Sequence, residues 1–210
     1  MHFSKPSSLV SIALGSVLMA GCVASVFAAD ASAEKVRVRG TVSTLADNQL
    51  VVKSREGSTE TIMLMPQWKV SAVKKASISD IKKGDFVGIA SQKESGGGDD
   101  ALEVLILPEA LRGTGEGSYS WDLKPKSSMT NATVTNPVKN VNGGTVTVTY
   151  HGHDKKINIS GSTPVVTLAP ATPDDVKPGV TVFVPADKSA DGKLTTGYLI
   201  IGKDGVVPPM

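Results

Sequence analysis

The chain has 210 residues, 40% of them apolar and 20% charged, with a formal net charge of +2 at pH 7. That length suffices for one large or two small domains. The near-neutral charge and the 4% aromatic content argue against a nucleic-acid binder, which needs a basic footprint and, for single strands, stacking platforms.

The N-terminus reads as an export segment. Lys5 supplies a positive charge, an apolar run follows from Leu9 through Ala20, and no acidic residue precedes Asp30. The run is short for a transmembrane span and ends among small residues, as a cleaved signal does. Val26-Phe27-Ala28 fits a cleavage site after Ala28, giving a signal peptide over 1–28, and Ala31-Ser32-Ala33 offers a later one. Leu18-Met19-Ala20-Gly21-Cys22 resembles a lipoprotein box, so a lipid anchor at Cys22 stands as the alternative, although the residues that follow are apolar rather than a polar tether. Cleavage after Ala28 leaves no cysteine and removes one lysine and no acid, so the formal charge falls to +1. Disulfides, cysteine nucleophiles and zinc–thiolate sites are then excluded. The expected location is periplasmic or secreted, with no transmembrane span in the mature chain.

From Lys35 the pattern alternates, with Val36, Val38 and Val42 on one face and Arg37, Arg39 and Thr41 on the other. This is a half-buried strand. Turns at Ala46-Asp47-Asn48 and Glu56-Gly57-Ser58 set off strands from Leu50 and from Thr59 to Met65, a meander, and Pro66 to Val70 reads as a looser segment. Ser77 to Asp85 reads as a short helical turn capped by Ser77 or Ser79 and ended by Gly84. Phe86 to Ala90 and Ala101 to Leu107 are the last strands of this half, joined by a polar loop over Glu94 to Asp100.

The second half repeats the first at an offset of 95 residues. Asp80-Ile81-Lys82-Lys83-Gly84 aligns with Asp175-Val176-Lys177-Pro178-Gly179, Val87 and Ile89 with Val182 and Val184, Ile62 and Leu64 with Ile157 and Ile159, and Val104 to Ile106 with Leu199 to Ile201. A register kept through two loops reads as a tandem duplication. Each unit has five strands and one helical turn, which predicts an all-β chain of two tandem OB-like five-stranded barrels over 35–109 and 131–204, joined by a connector over 110–130. Leu105 and Ile200, on the face opposite the inward set, are expected at the contact between barrels or under the connector.

The connector holds Gly113-Thr114-Gly115-Glu116-Gly117, which fails as a nucleotide loop because no helix follows it. Its glycines are expected to take positive φ. Tyr119 and Trp121 are two apart and face the same way in an extended segment, either plugging a barrel or lining a groove. With Asp122 and with Trp68 they are the candidate ligand-binding residues. His151-Gly152-His153-Asp154 is the candidate metal site, since an extended His-x-His pair with a nearby carboxylate suits copper, zinc or nickel, although the stretch falls where a hairpin loop belongs. No other cofactor is expected. Catalysis finds no support, because no cysteine remains and neither histidine has an identifiable nucleophile partner.

Gly40-Thr41-Val42, Ile81-Lys82-Lys83-Gly84-Asp85-Phe86-Val87 and the apolar strand Leu102 to Ile106 together resemble the motifs of a family of uncharacterised exported bacterial proteins with a small OB-like β domain. The second unit carries Val180 where the first has Asp85. The resemblance implies fold and location. The function expected is that of a non-enzymatic envelope binding or scaffold protein for a peptide, glycan or small molecule, the alternative being a periplasmic metal-binding protein using His151 and His153.

Overall fold

The computed structural model describes residues 33–94, 98–138, 140 and 142–208. The export segment 1–28 and Cys22 lie outside them. Among the described residues, no helix is long and apolar enough to cross a membrane.

The chain is all-β. Three strands open it: β1 (Glu34–Ala46), β2 (Gln49–Ser54) and β3 (Thr59–Ala76). β4 (Phe86–Lys93), β5 (Asp99–Leu107) and the short β6 (Gly117–Trp121) follow. The second half contains β7 (Ser127–Asn136), β8 (Gly143–Tyr150), β9 (His153–Ser160), β10 (Val165–Pro170), β11 (Thr181–Lys188) and β12 (Leu194–Gly202). Single 3-10 turns span Ile78–Asp80, Glu109–Leu111 and Pro173–Asp175.

Five strands close into a barrel. β1 pairs antiparallel with β2, β2 with β3, β11 with β12 and β11 with β1, and β12 completes the circuit in parallel with β3. The inward positions are those the alternation assigns: Val38, Val42, Leu50, Val52, Ile62, Leu64, Val184, Leu199 and Ile201 form one buried core. Closure leaves no exposed edge along the paired stretches.

The strands of this barrel do not come from one sequence unit. β1–β3 belong to the expected first unit and β11–β12 to the second, so the circuit crosses the divisions 35–109 and 131–204. The remaining strands do the reverse. β4 and β5 join β7, β8 and β9 around a separate core built on Val87, Ile89, Val104, Val134, Val146, Val148, Ile157 and Ile159. The parallel registers correspond. Thr195 pairs with Met63 as Asp100 pairs with Asn158, Leu199 with Val70 as Val104 with Val165, and Ile200 with Ser71 as Leu105 with Val166. Every residue in these pairs stands 95 positions from its counterpart.

Several local expectations change. Pro66 to Val70 is not a looser segment but the middle of β3. Gln67 takes φ 59°, and the register with β12 slips there, from Thr196↔Leu64 to Tyr198↔Lys69. The extra residues of β3 are thus absorbed as a bulge. The connector is shorter than 110–130, because β7 begins at Ser127 and pairs with β4. The threonines and small residues of this strand fit a pleated surface but carry too little hydrophobicity to announce it.

The two turns that precede β4 and β11 share one device. The Asp80 carboxylate accepts from the Ser77 N–H at 2.8 Å, and Asp175 accepts from the Thr172 N–H at 2.8 Å. Of the two candidates, Ser77 is therefore the cap. Gly84 and Gly179 follow with φ of 93° and 89°. Asp85 takes the Lys82 N–H at 2.7 Å, a bond that Val180, at the corresponding place after the second turn, cannot supply.

Gly40 marks a close approach. A Cβ there would overlap the Lys53 carbonyl on the paired strand, so Gly40→Ala is expected to destabilise the protein by about 2 kcal/mol or more, the range for forced overpacking. Urea denaturation checks this, and an unchanged midpoint would mean that β1 and β2 separate more easily than their pairing indicates.

Candidate apolar cleft beneath the Tyr119–Trp121 strand

β6 pairs with β7 from Gly117↔Asn131 to Trp121↔Ser127. The glycines that lead into it take φ of 80° at Gly113, 60° at Gly115 and 140° at Gly117, as expected of a stretch that must turn tightly before entering a sheet. Asn131 fixes the hairpin: its Nδ2 donates to the Tyr119 hydroxyl at 2.9 Å and to the Gly115 carbonyl at 3.1 Å. Tyr119 and Trp121 do share a face, with ring centroids 6.1 Å apart in an edge arrangement.

Trp121 lies on the outer face of the barrel. The Arg37 guanidinium sits 3.9 Å from its ring centroid, in cation–π geometry. Asp122 accepts from Arg39 at 2.7 Å and lies 3.5 Å from Arg37. Burial opposes ionisation of Asp122, but the Arg39 hydrogen bond and the charges of Arg39 and Arg37 outweigh it and hold the carboxyl below its ordinary value. Asp122 thus anchors β6 to β1.

Beneath Trp121 is a third apolar cluster of Val73, Leu105, Val166, Phe183 and Ile200. Strand alternation explains it. On β5, Val104 points into one core and Leu105 away from it; on β12, Leu199 and Ile200 do the same for the barrel. Leu105 and Ile200 therefore meet under the connector, as their matched positions imply.

The cluster does not fill its space. A cleft of about 480 Å³ opens beside it, with Leu105, Leu168, Phe183 and Ile200 on one side, Met129 and Leu111 on another, and Tyr119 and Trp121 at its edge. Its asymmetry has a local cause. Phe183 packs into the cluster, whereas its counterpart 95 residues earlier is Gly88, also at the cleft.

One charged residue faces this space. Glu103 is on the same face of β5 as Leu105 and is 5% exposed. Its Oε1 has no hydrogen-bond partner among the described residues, nor has the buried Nε1 of Trp121. Burial pushes the Glu103 carboxyl up to about 8, with Arg39 and Arg55 opposing the shift. The sequence reading did not single out Glu103. The signal was present, since Glu103 is the only charge in the apolar run Ala101 to Leu107, and a lone acid on a buried strand either pairs or shifts its pKa.

The other candidates lie elsewhere. Trp68 packs half-buried against the barrel core and does not line the cleft. His151 and Gly152 form the two-residue turn between β8 and β9, with φ of 45° and 78°. The extended geometry expected of His-x-His is therefore absent: His151 lies in the turn and His153 opens β9, their rings 6.3 and 6.2 Å from that of Tyr150. Asp154 accepts from the Thr149 hydroxyl at 2.5 Å. Among the described residues, no group of three or more histidine, cysteine or acidic side chains is placed to hold a metal.

The chain is thus an all-β protein with a closed five-strand barrel and an apolar cleft at its outer face. Comparisons with protein-family models, curated proteins and solved structures find no match.

Proposed function

We propose that this is an exported, non-enzymatic binding protein whose small apolar ligand occupies the cleft beneath Tyr119 and Trp121. The observation that carries the reading is the cleft itself. About 480 Å³ is within the range of small-molecule sites, which are mostly apolar with a few placed polar groups. Here the polar groups are Glu103 and the Trp121 indole N–H. The architecture proposed with it is a duplicated barrel in which the two units exchange their last two strands. Two separate cores and parallel registers 95 residues apart support that arrangement. The cleft then falls where the copies meet, with Leu105 facing the space shared with Ile200.

The test uses Trp121 as reporter. The chain has two tryptophans, so Trp68→Phe leaves Trp121 alone. Titration with the neutral fluorophore N-phenylnaphthylamine is expected to give saturable energy transfer from Trp121, with a Kd in the micromolar range, about −8 kcal/mol. A linear, non-saturating response would remove the cleft as a binding site.

A further inference from the structure

Two side chains on the wall of the apolar cleft each hold a buried polar atom with no hydrogen-bond partner among the described residues: Oε1 of Glu103, on β5, and Nε1 of Trp121, on β6. The Tyr119 hydroxyl, by contrast, already accepts from Asn131 at 2.9 Å. Glu103 is 5% exposed, so water offers it little compensation, and a buried polar group left unpaired is costly. The two atoms have opposite needs. The indole N–H can only donate. Glu103 presents an oxygen able to accept whether its carboxyl is ionised or protonated. Its terminal torsion is soft, so either oxygen can be turned toward the cleft. Around them the wall is apolar, with Leu105, Phe183 and Ile200.

We propose that the ligand is an uncharged amphiphile with a hydroxyl head, its apolar body in the cleft and its hydroxyl meeting Glu103 and Trp121. This rests on the cleft being a binding site and adds the ligand class. Hydrogen-bond complementarity selects it. A hydroxyl carries one donor and two acceptor lone pairs, so it gives its proton to Glu103 and accepts the indole N–H. An ether oxygen accepts only and leaves Glu103 unpaired. An ammonium donates only and leaves the indole unpaired. A carboxylate also accepts only, and it sets two acids side by side.

The experiment compares heads on one chain. Decanol, decyl methyl ether, decylamine and decanoate compete at pH 7 with N-phenylnaphthylamine for the Trp68→Phe protein, with energy transfer from Trp121 as the readout. Decanol is expected to bind about tenfold more tightly than the ether, the scale of one hydrogen bond to a buried group, although the ether is the more apolar of the two. Both charged heads are expected to bind more weakly than decanol. Adding Glu103→Leu removes the acceptor, and the decanol-to-ether ratio is then expected to fall to about one. Circular dichroism verifies that this variant is folded, and the comparison of heads on the protein that keeps Glu103 stands without it. Equal binding of decanol and the ether, or a tenfold ratio retained in Glu103→Leu, overturns the hydroxyl head and leaves the apolar cleft standing. Tightest binding by decylamine or by decanoate overturns it too and assigns the head to a charged group. Failure of all four competitors and of the neutral fluorophore to saturate the protein overturns the cleft reading itself.

Discussion

Trp121→Ala is expected to lower the free energy of unfolding by about 3 kcal/mol, the lower end for loss of a packed tryptophan. The ring is half-buried rather than enclosed, which argues for the low end. Three contacts disappear together: packing on the cluster of Leu105, Phe183 and Ile200, the Arg37 guanidinium over the ring, and the edge contact with Tyr119. For a chain of this size the loss corresponds to a fall in Tm of about 6–12 °C. Trp121→Phe keeps an aromatic face but not the N–H, and is expected to lose about half as much. Differential scanning calorimetry distinguishes the two. A Tm unchanged in Trp121→Ala would mean that β6 is held by Asp122 and Asn131 alone, with the indole serving only a ligand.

The second large effect depends on pH. Glu103 ionises at about 8 in the folded chain, against an ordinary value of 4.5. Below 4.5 both folded and unfolded chains hold the proton, and the stability associated with this group is fully present. As pH rises toward 8, the unfolded chain releases its proton and the folded chain does not, so stability is lost; above 8 the loss is complete. Each pH unit between the two values costs about 1.4 kcal/mol, so the total is on the order of 5 kcal/mol. Glu103→Gln keeps the shape and removes the ionisation. Urea midpoints at pH 5 and pH 8 are therefore expected to diverge strongly in the native protein and much less in the variant, which becomes the more stable of the two at pH 8. Parallel pH profiles would show that Glu103 is ionised in the fold, paired with the neighbouring Arg39.

Much of this fold was legible in the sequence because strand periodicity is a local property. Leu50, Val52 and Ser54 are buried between more exposed neighbours, and Val38 and Val42 face the barrel core, a pattern set at the scale of single residues. The offset of 95 aligns the capped turns at Asp80 and Asp175 from residue identity alone. Less legible were β6 and the start of β7, whose serines and threonines carry little hydrophobic signal, and the bulge at Gln67, which exists only because β12 has fewer residues opposite β3. His151 and Gly152 form a two-residue hairpin turn rather than an extended run, since such a turn requires positive φ and Gly152 readily supplies it.

Residue order alone indicates which side chains of the barrel strands face inward and where most of the turns fall. It also places Leu105 and Ile200 on matching outward positions. It does not settle that β11 and β12 close the barrel begun by β1–β3; that choice is made in three dimensions. β4 and β5 carry the same alternation as β11 and β12, so the alternation of side chains is blind to which pair joins β1–β3. The same holds for the cleft. Gly88, Glu103 and Trp121 are ordinary on their own strands, and they line one cleft when the outer faces of β5 and β12 are brought together beneath β6.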